Sequence, residues 1–162
     1  MSIAEWTNFL IAEVGASATL AGLVVVAVSI NLTRILSFPQ LPGRAAESLV
    51  MLTGVLVVVS SGLMPRLSVK IFGAAVLVFG LVILAVALYN QLRYSAPVEG
   101  LTPFKKYLRA AVSAAVTLPL IVGGVLLLLG FSGGFYLAAV GVLISLAAGV
   151  WSAWVLLIEI VR

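Results

Sequence analysis

The chain has no cysteine and no histidine, and its five acidic residues are all glutamate, so aspartate is missing as well. Each absence removes a class of chemistry. Without Cys there is neither a disulfide nor a thiol nucleophile, and the redox compartment leaves no mark. Without Cys, His or Asp, the usual ligand sets for zinc, iron, copper and haem cannot be assembled. His-dependent triads and aspartate dyads are excluded on the same ground. The remaining carboxylates, Glu5, Glu13, Glu47, Glu99 and Glu159, are scattered along the chain. This argues against an enzyme, and no metal or cofactor is expected.

Charge of either sign is scarce too. Only 9% of the 162 residues are charged and 64% are hydrophobic, with a mean hydropathy of +1.32. Soluble domains run near 45–50% apolar and about 25% charged, so this composition belongs to a membrane protein. At roughly 20 residues per crossing, the length holds five spans in a single transmembrane domain, residues 1–162. The apolar runs place them near residues 9–30, 45–63, 69–89, 110–129 and 135–160. The expected fold is therefore all-α, a polytopic membrane bundle of about five helices. The opening MSIAEWTNFL has no basic n-region and no small-residue cleavage site, so it reads as a retained helix, with Ser2 and Glu5 as a capping box.

The breaks between runs carry turn chemistry. Pro39, Pro42 and Gly43 fall in the first, and Met64-Pro65-Arg66 makes a tight reversal. The longest polar segment, Asn90 to Arg109, holds Pro97, Gly100 and Pro103, with Thr102 placed as an N-cap before Pro103. With the N-terminus outside, Arg34, Arg44, Arg93, Lys105, Lys106, Arg109 and Arg162 face the cytoplasm, leaving only Arg66 and Lys70 outside. The positive-inside rule then favours N-out, C-in. Trp6, Phe131, Phe135 and Tyr136 fall at one interface, and Tyr89, Tyr94, Tyr107, Trp151 and Trp154 at the other, as two aromatic belts. The net charge of +4 follows from this topology and calls for no nucleic acid. Arg93, Lys105, Lys106 and Arg109 are candidates for contact with an anionic lipid, with topology alone as the alternative.

Lipid tails are as apolar as Leu, so close packing of small residues and interhelical hydrogen bonds must hold the helices together. Small residues recur seven apart on every run. Asn8, Gly15, Gly22 and Ser29 do so on the first, and Glu47, Gly54 and Ser61 beside Ala46, Thr53 and Ser60 on the second. Gly73, Gly80 and Ala87 follow on the third, Ala110, Thr117 and Gly124 on the fourth. On the last run Ala138, Ser145 and Ser152 are joined by Gly141, Ser145 and Gly149 at spacing four. Faces of this kind on all helices point to a homo-oligomer as well as to internal packing.

Glu13 is the candidate functional carboxylate. It lies 18 residues from Asn31 on one helical face, about 27 Å of rise, which sets it near the outer boundary. There it reaches headgroups, Arg66 or Lys70, or else marks a pore mouth, and it points away from the Gly15–Gly22 stripe. Thr53, Ser60 and Ser61 offer a polar path or, alternatively, interhelical hydrogen bonds. Pro119 removes a main-chain hydrogen bond in mid-helix, as a hinge or as a static kink.

The stretch from Glu13 through Val14-Gly15-Ala16-Ser17-Ala18-Thr19 to Asn31-Leu32, continued by Leu41-Pro42-Gly43-Arg44-Ala45-Ala46-Glu47, resembles a family of small bacterial multi-pass membrane proteins. The likeness covers the first third of the chain. It implies a bacterial cytoplasmic membrane and assigns no activity. The residues favour an oligomeric channel or passive pore for a small ion or solute, with a non-catalytic accessory, scaffold or regulatory subunit of a larger membrane complex as the alternative. A proton-coupled transporter comes third, since Pro119 and Gly123-Gly124 make the one comparable helix break and no repeat is visible. Membrane lipids are partners in each.

Overall fold

A computed structural model describes residues 3–38, 41–94 and 103–161. The described chain is helical, without a strand: a 3-10 turn at Ile3–Trp6, then α1 (Thr7–Ile30), α2 (Leu32–Ser37), α3 (Leu41–Gly62), α4 (Val69–Tyr94), α5 (Pro103–Leu128) and α6 (Gly134–Val161). Four stretches are long and apolar enough to cross a membrane: Ile3–Ile30, Leu41–Gly62, Val69–Tyr89 and Gly134–Val155. The expected count of five is thus reached for four. In α5 the apolar described segment is Thr117–Leu128, shorter than a bilayer. The described chain opens on the 3-10 turn, where the Thr7 hydroxyl donates to the Ala4 carbonyl at 2.9 Å, and α1 has no side-chain cap. Ser2 lies outside the described residues.

α3, α4, α5 and α6 each pack on the next, and α6 closes the ring on α3. Neighbours run antiparallel, since Gly62 of α3 meets Phe72 and Gly54 meets Phe79, while Gly73 of α4 meets Leu127 and Gly80 meets Leu120. The centre is filled by Leu52, Val55, Val59, Val76, Leu120 and Leu127, all essentially without exposure. α1 lies outside this four-helix unit, mainly against α3. Its buried face is Leu10, Glu13, Ser17, Ala21 and Val24, spaced three and four apart as a helix packed along one side requires. It is the least covered span, 28% buried against 39–44% for the other three.

Glycine lets the main chains of α4, α5 and α6 approach. A Cβ on Gly124 would lie 2.7 Å from the Leu77 nitrogen and 2.9 Å from the Gly73 carbonyl, both on α4. One on its neighbour Gly123 would lie 2.8 Å from the Ala138 nitrogen on α6. Consecutive residues differ by about 100° around a helix, so this pair turns one missing side chain to each neighbour. α5 then ends in a Schellman cap: Gly130 is left-handed at φ 87, its N–H donates to Leu127 at 3.1 Å, and Phe131 donates to Leu126 at 2.8 Å. The reversal after α3 places Pro65 second and Arg66 third, with Arg66 at φ 60 and Leu67 donating to the Met64 carbonyl at 3.3 Å.

Gly15 and Gly22 require a correction. Neither has a neighbour within 4 Å of its missing Cβ. They face away from the bundle, because α1 turns its Glu13–Ser17 side to α3. Gly124→Ala is accordingly expected to destabilise the detergent-solubilised protein by about 1–3 kcal/mol, the usual cost of overpacking, whereas Gly22→Ala leaves the fold unaffected. Denaturant unfolding followed by circular dichroism measures both.

Candidate functional site

The residues singled out as a polar path do not share one surface. Thr53 is exposed on α3, with its hydroxyl donating to the Leu49 carbonyl of its own helix. Ser60 and Ser61 are half-buried, and Ser61 donates to the Val58 carbonyl at 2.6 Å. Glu13 lies on another element and is turned inward. Its side chain is 8% exposed and sits within the packed face of α1, not beside it as the stripe geometry implied. The Glu13 Oε2 is enclosed and has no hydrogen-bond partner among the described residues. Arg66, Lys70 and Glu13 form no ion pair there, and both cations are exposed.

Ser17, one turn further along α1, is fully buried. Its hydroxyl donates to the main-chain carbonyl of Glu13 at 2.6 Å, so the hydroxyl is committed to the helix and not to the carboxyl. Ser145 does the same on α6, donating to Gly141 at 2.7 Å. A buried hydroxyl that bridges helices lies off the seven-residue stripes. Ser48 of α3 donates to the Gly149 carbonyl of α6 at 2.8 Å. Gly149 leaves that carbonyl approachable, and Leu52 closes over the same glycine, with a Cβ there only 3.0 Å from it. The signal in the sequence was Ala45-x-x-Ser48-x-x-x-Leu52, the small and apolar face that the Thr53 and Gly54 stripes flank.

At the end of the bundle holding the α3–α4 and α5–α6 turns, aromatic rings close the space between α1, α4 and α6. Trp6 stacks on Phe135 with centroids 5.7 Å apart and meets Phe9 and Tyr136 edge-on at 5.8 and 5.0 Å. Phe72 stacks on Phe135 at 6.1 Å. Phe131 and Tyr136 are exposed, as a belt requires, but Phe135 is core at 3% exposure. Beneath the rings lies a small apolar cavity walled by Trp6, Phe9, Leu10, Val59, Phe72 and Ala138 among others, about 20 Å³ in volume. That is room for about one water. The Trp6 Nε1 is enclosed and has no hydrogen-bond partner among the described residues. Toward the opposite end, Leu20 of α1 and Leu146, Val150, Trp151 and Trp154 of α6 line an open, almost wholly apolar groove.

Pro119 is half-buried within α5, which continues as one helix from Pro103 to Leu128. Gly54, Gly73, Gly80, Gly141 and Gly149 each face a side chain or main chain of a neighbouring helix. Arg93, Lys105, Lys106 and Arg109 sit on the ends of α4 and α5 that flank the long connection, and their side chains lie outside the described residues. No group of three or more His, Cys, Asp or Glu converges among the described residues.

The arrangement defines a class, a multi-helix bundle whose apolar helices are compatible with an integral membrane protein. No protein-family model, curated protein or solved structure matches the chain. The N-terminal likeness to small bacterial membrane proteins therefore assigns no family.

Ser48→Ala is expected to cost on the order of 1 kcal/mol, the scale of an interhelical hydrogen bond in a membrane bundle. Ser145→Ala, which removes a bond within one helix, costs less. Thermal unfolding of both variants in the same detergent makes the comparison.

Proposed function

We propose that the chain is a non-enzymatic, multi-pass membrane protein that works as a homo-oligomer, with a passive path for a small ion or solute formed between copies. One observation supports this reading. The centre of the single chain is closed by Leu52, Val55, Val59, Val76, Leu120 and Leu127, whereas Thr53 and the Gly15–Gly22 face of α1 turn outward. A hydrophilic path has to run where hydroxyls can be arranged in rings, and in this chain that is the surface between copies. Thr53 and Ser60, seven residues apart on α3, are the side chains proposed to line it. Glu13, buried against the chain's own helices, is not one of them.

In this proposal α5 is the fifth span, because its 26 residues rise about 39 Å. The N-terminus is outside and the long connection between α4 and α5 is cytoplasmic, which brings Arg93, Lys105, Lys106 and Arg109 to the anionic headgroups of a bacterial inner membrane. A second reading is favoured by the open face of α1. Asn8, Gly15, Gly22 and Ser29 are all exposed, and a small-residue face of that kind accepts a helix from a partner protein. The chain would then be an accessory or scaffold subunit of a larger complex.

Ion and solute flux from proteoliposomes, read beside crosslinking in lipid, separates the two. The channel reading expects a homo-oligomer and a flux that Thr53→Val slows without dispersing the oligomer. Tight vesicles at high protein density, together with recovery of a larger complex in mild detergent, would replace it with the accessory reading.

A further inference from the structure

We propose that Glu13 is a proton-binding site within the membrane: its carboxyl is held as the acid, without a counter-cation, and exchanges its proton when α1 parts from α3. The buried carboxyl has no source of compensating charge. α3 carries no Lys, Arg, Glu or Tyr from Ser48 to Gly62, and α6 carries none from Leu137 to Val155. At the near end of the bundle the titratable groups are Glu5, Arg66, Lys70 and Tyr136, all exposed, and none of them pairs with Glu13 among the described residues. The Ser17 hydroxyl is committed to the main-chain carbonyl of Glu13. An unpaired carboxylate buried on a helix face otherwise made of Leu10, Ser17, Ala21 and Val24 is far costlier than the neutral acid. The proton is the one ligand that fits an oxygen with no space beside it.

The exchange needs α1 to move, because the cavity beneath Trp6 is walled almost wholly by apolar side chains and Glu13 is not among them. On ionisation the carboxyl O–H bond breaks and the proton passes to water. α1 is the element able to open the site, since it lies outside the four-helix ring and is the least buried span.

The test uses the full chain in lipid vesicles at neutral pH, treated with the apolar reagent dicyclohexylcarbodiimide. A protonated carboxyl adds across its C=N bond and is retained as an N-acylurea, which peptide mass spectrometry locates. The adduct is expected at Glu13, is lost in Glu13→Gln, and declines as the external pH is raised. Infrared difference spectra between the two proteins should show the carbonyl stretch of a carboxylic acid disappearing. Absence of the adduct from Glu13 while Glu5 or Glu47 reacts, or a carboxylate stretch in place of the acid, overturns the proposal. If Glu13→Gln does not fold, labelling of the natural chain against pH still decides. The result does not depend on flux, so a failed channel assay and a failed proton site are distinguishable.

Discussion

The structure depends on glycine-mediated approach of main chains in a setting where apolar surface alone supplies no cohesion between helices. α5 shows this most plainly. Gly123 and Gly124 open two flanks of one helix about 100° apart, so α4 and α6 both come within contact of its backbone. Gly73 and Gly80 on α4, and Gly134 and Gly141 on α6, make the reciprocal openings. Large side chains from the facing helix fill the gaps, with Leu120 and Leu127 fully buried. The central unit α3–α6 is built by this one device repeated, with Ser48 to Gly149 as its polar tie.

α1 obeys a different logic. It has glycines at 15 and 22, yet meets α3 through Leu10, Glu13, Ser17, Ala21 and Val24. A buried serine there satisfies itself on its own helix, which lets it sit in an apolar seam at little cost. An ionised glutamate cannot do so, because a carboxylate only accepts and has no donor to give a main-chain carbonyl. The seam therefore holds one group whose burial is costly as an anion and mild as an acid. That contrast links the packing of α1 to the proposed chemistry of Glu13. It also separates this site from the outward Thr53 hydroxyl of α3, which is proposed to serve contacts between copies.

Much of this was legible in the residues. Scarce charge with a mean hydropathy of +1.32 pointed to a helical membrane chain, with which the four long apolar helices are compatible. The breaks at Pro65 and at Ser132-Gly133 fall where helices end. The glycines of α4 and α6 were visible as a repeat because their spacing matches the rows along which helices touch. The candidate site was less legible. Seven-residue spacing exists on both faces of a small-residue-rich helix, and nothing in α1 alone says which face meets a neighbour. Gly15–Gly22 and Glu13–Ser17 are equally regular.

Composition, hydropathy and turn residues by themselves determined that this chain is a set of apolar helices with a basic connection, since these are local properties of each segment. Tertiary structure alone decided which side of α1 is covered, that Phe135 is core and not belt, that Ser48 and not Thr53 bridges α3 to α6, and that the Glu13 Oε2 is enclosed with no partner among the described residues. The physical reason is the same in each case. A helix offers several faces of similar chemistry, and the choice among them is made by the shape of what packs against it.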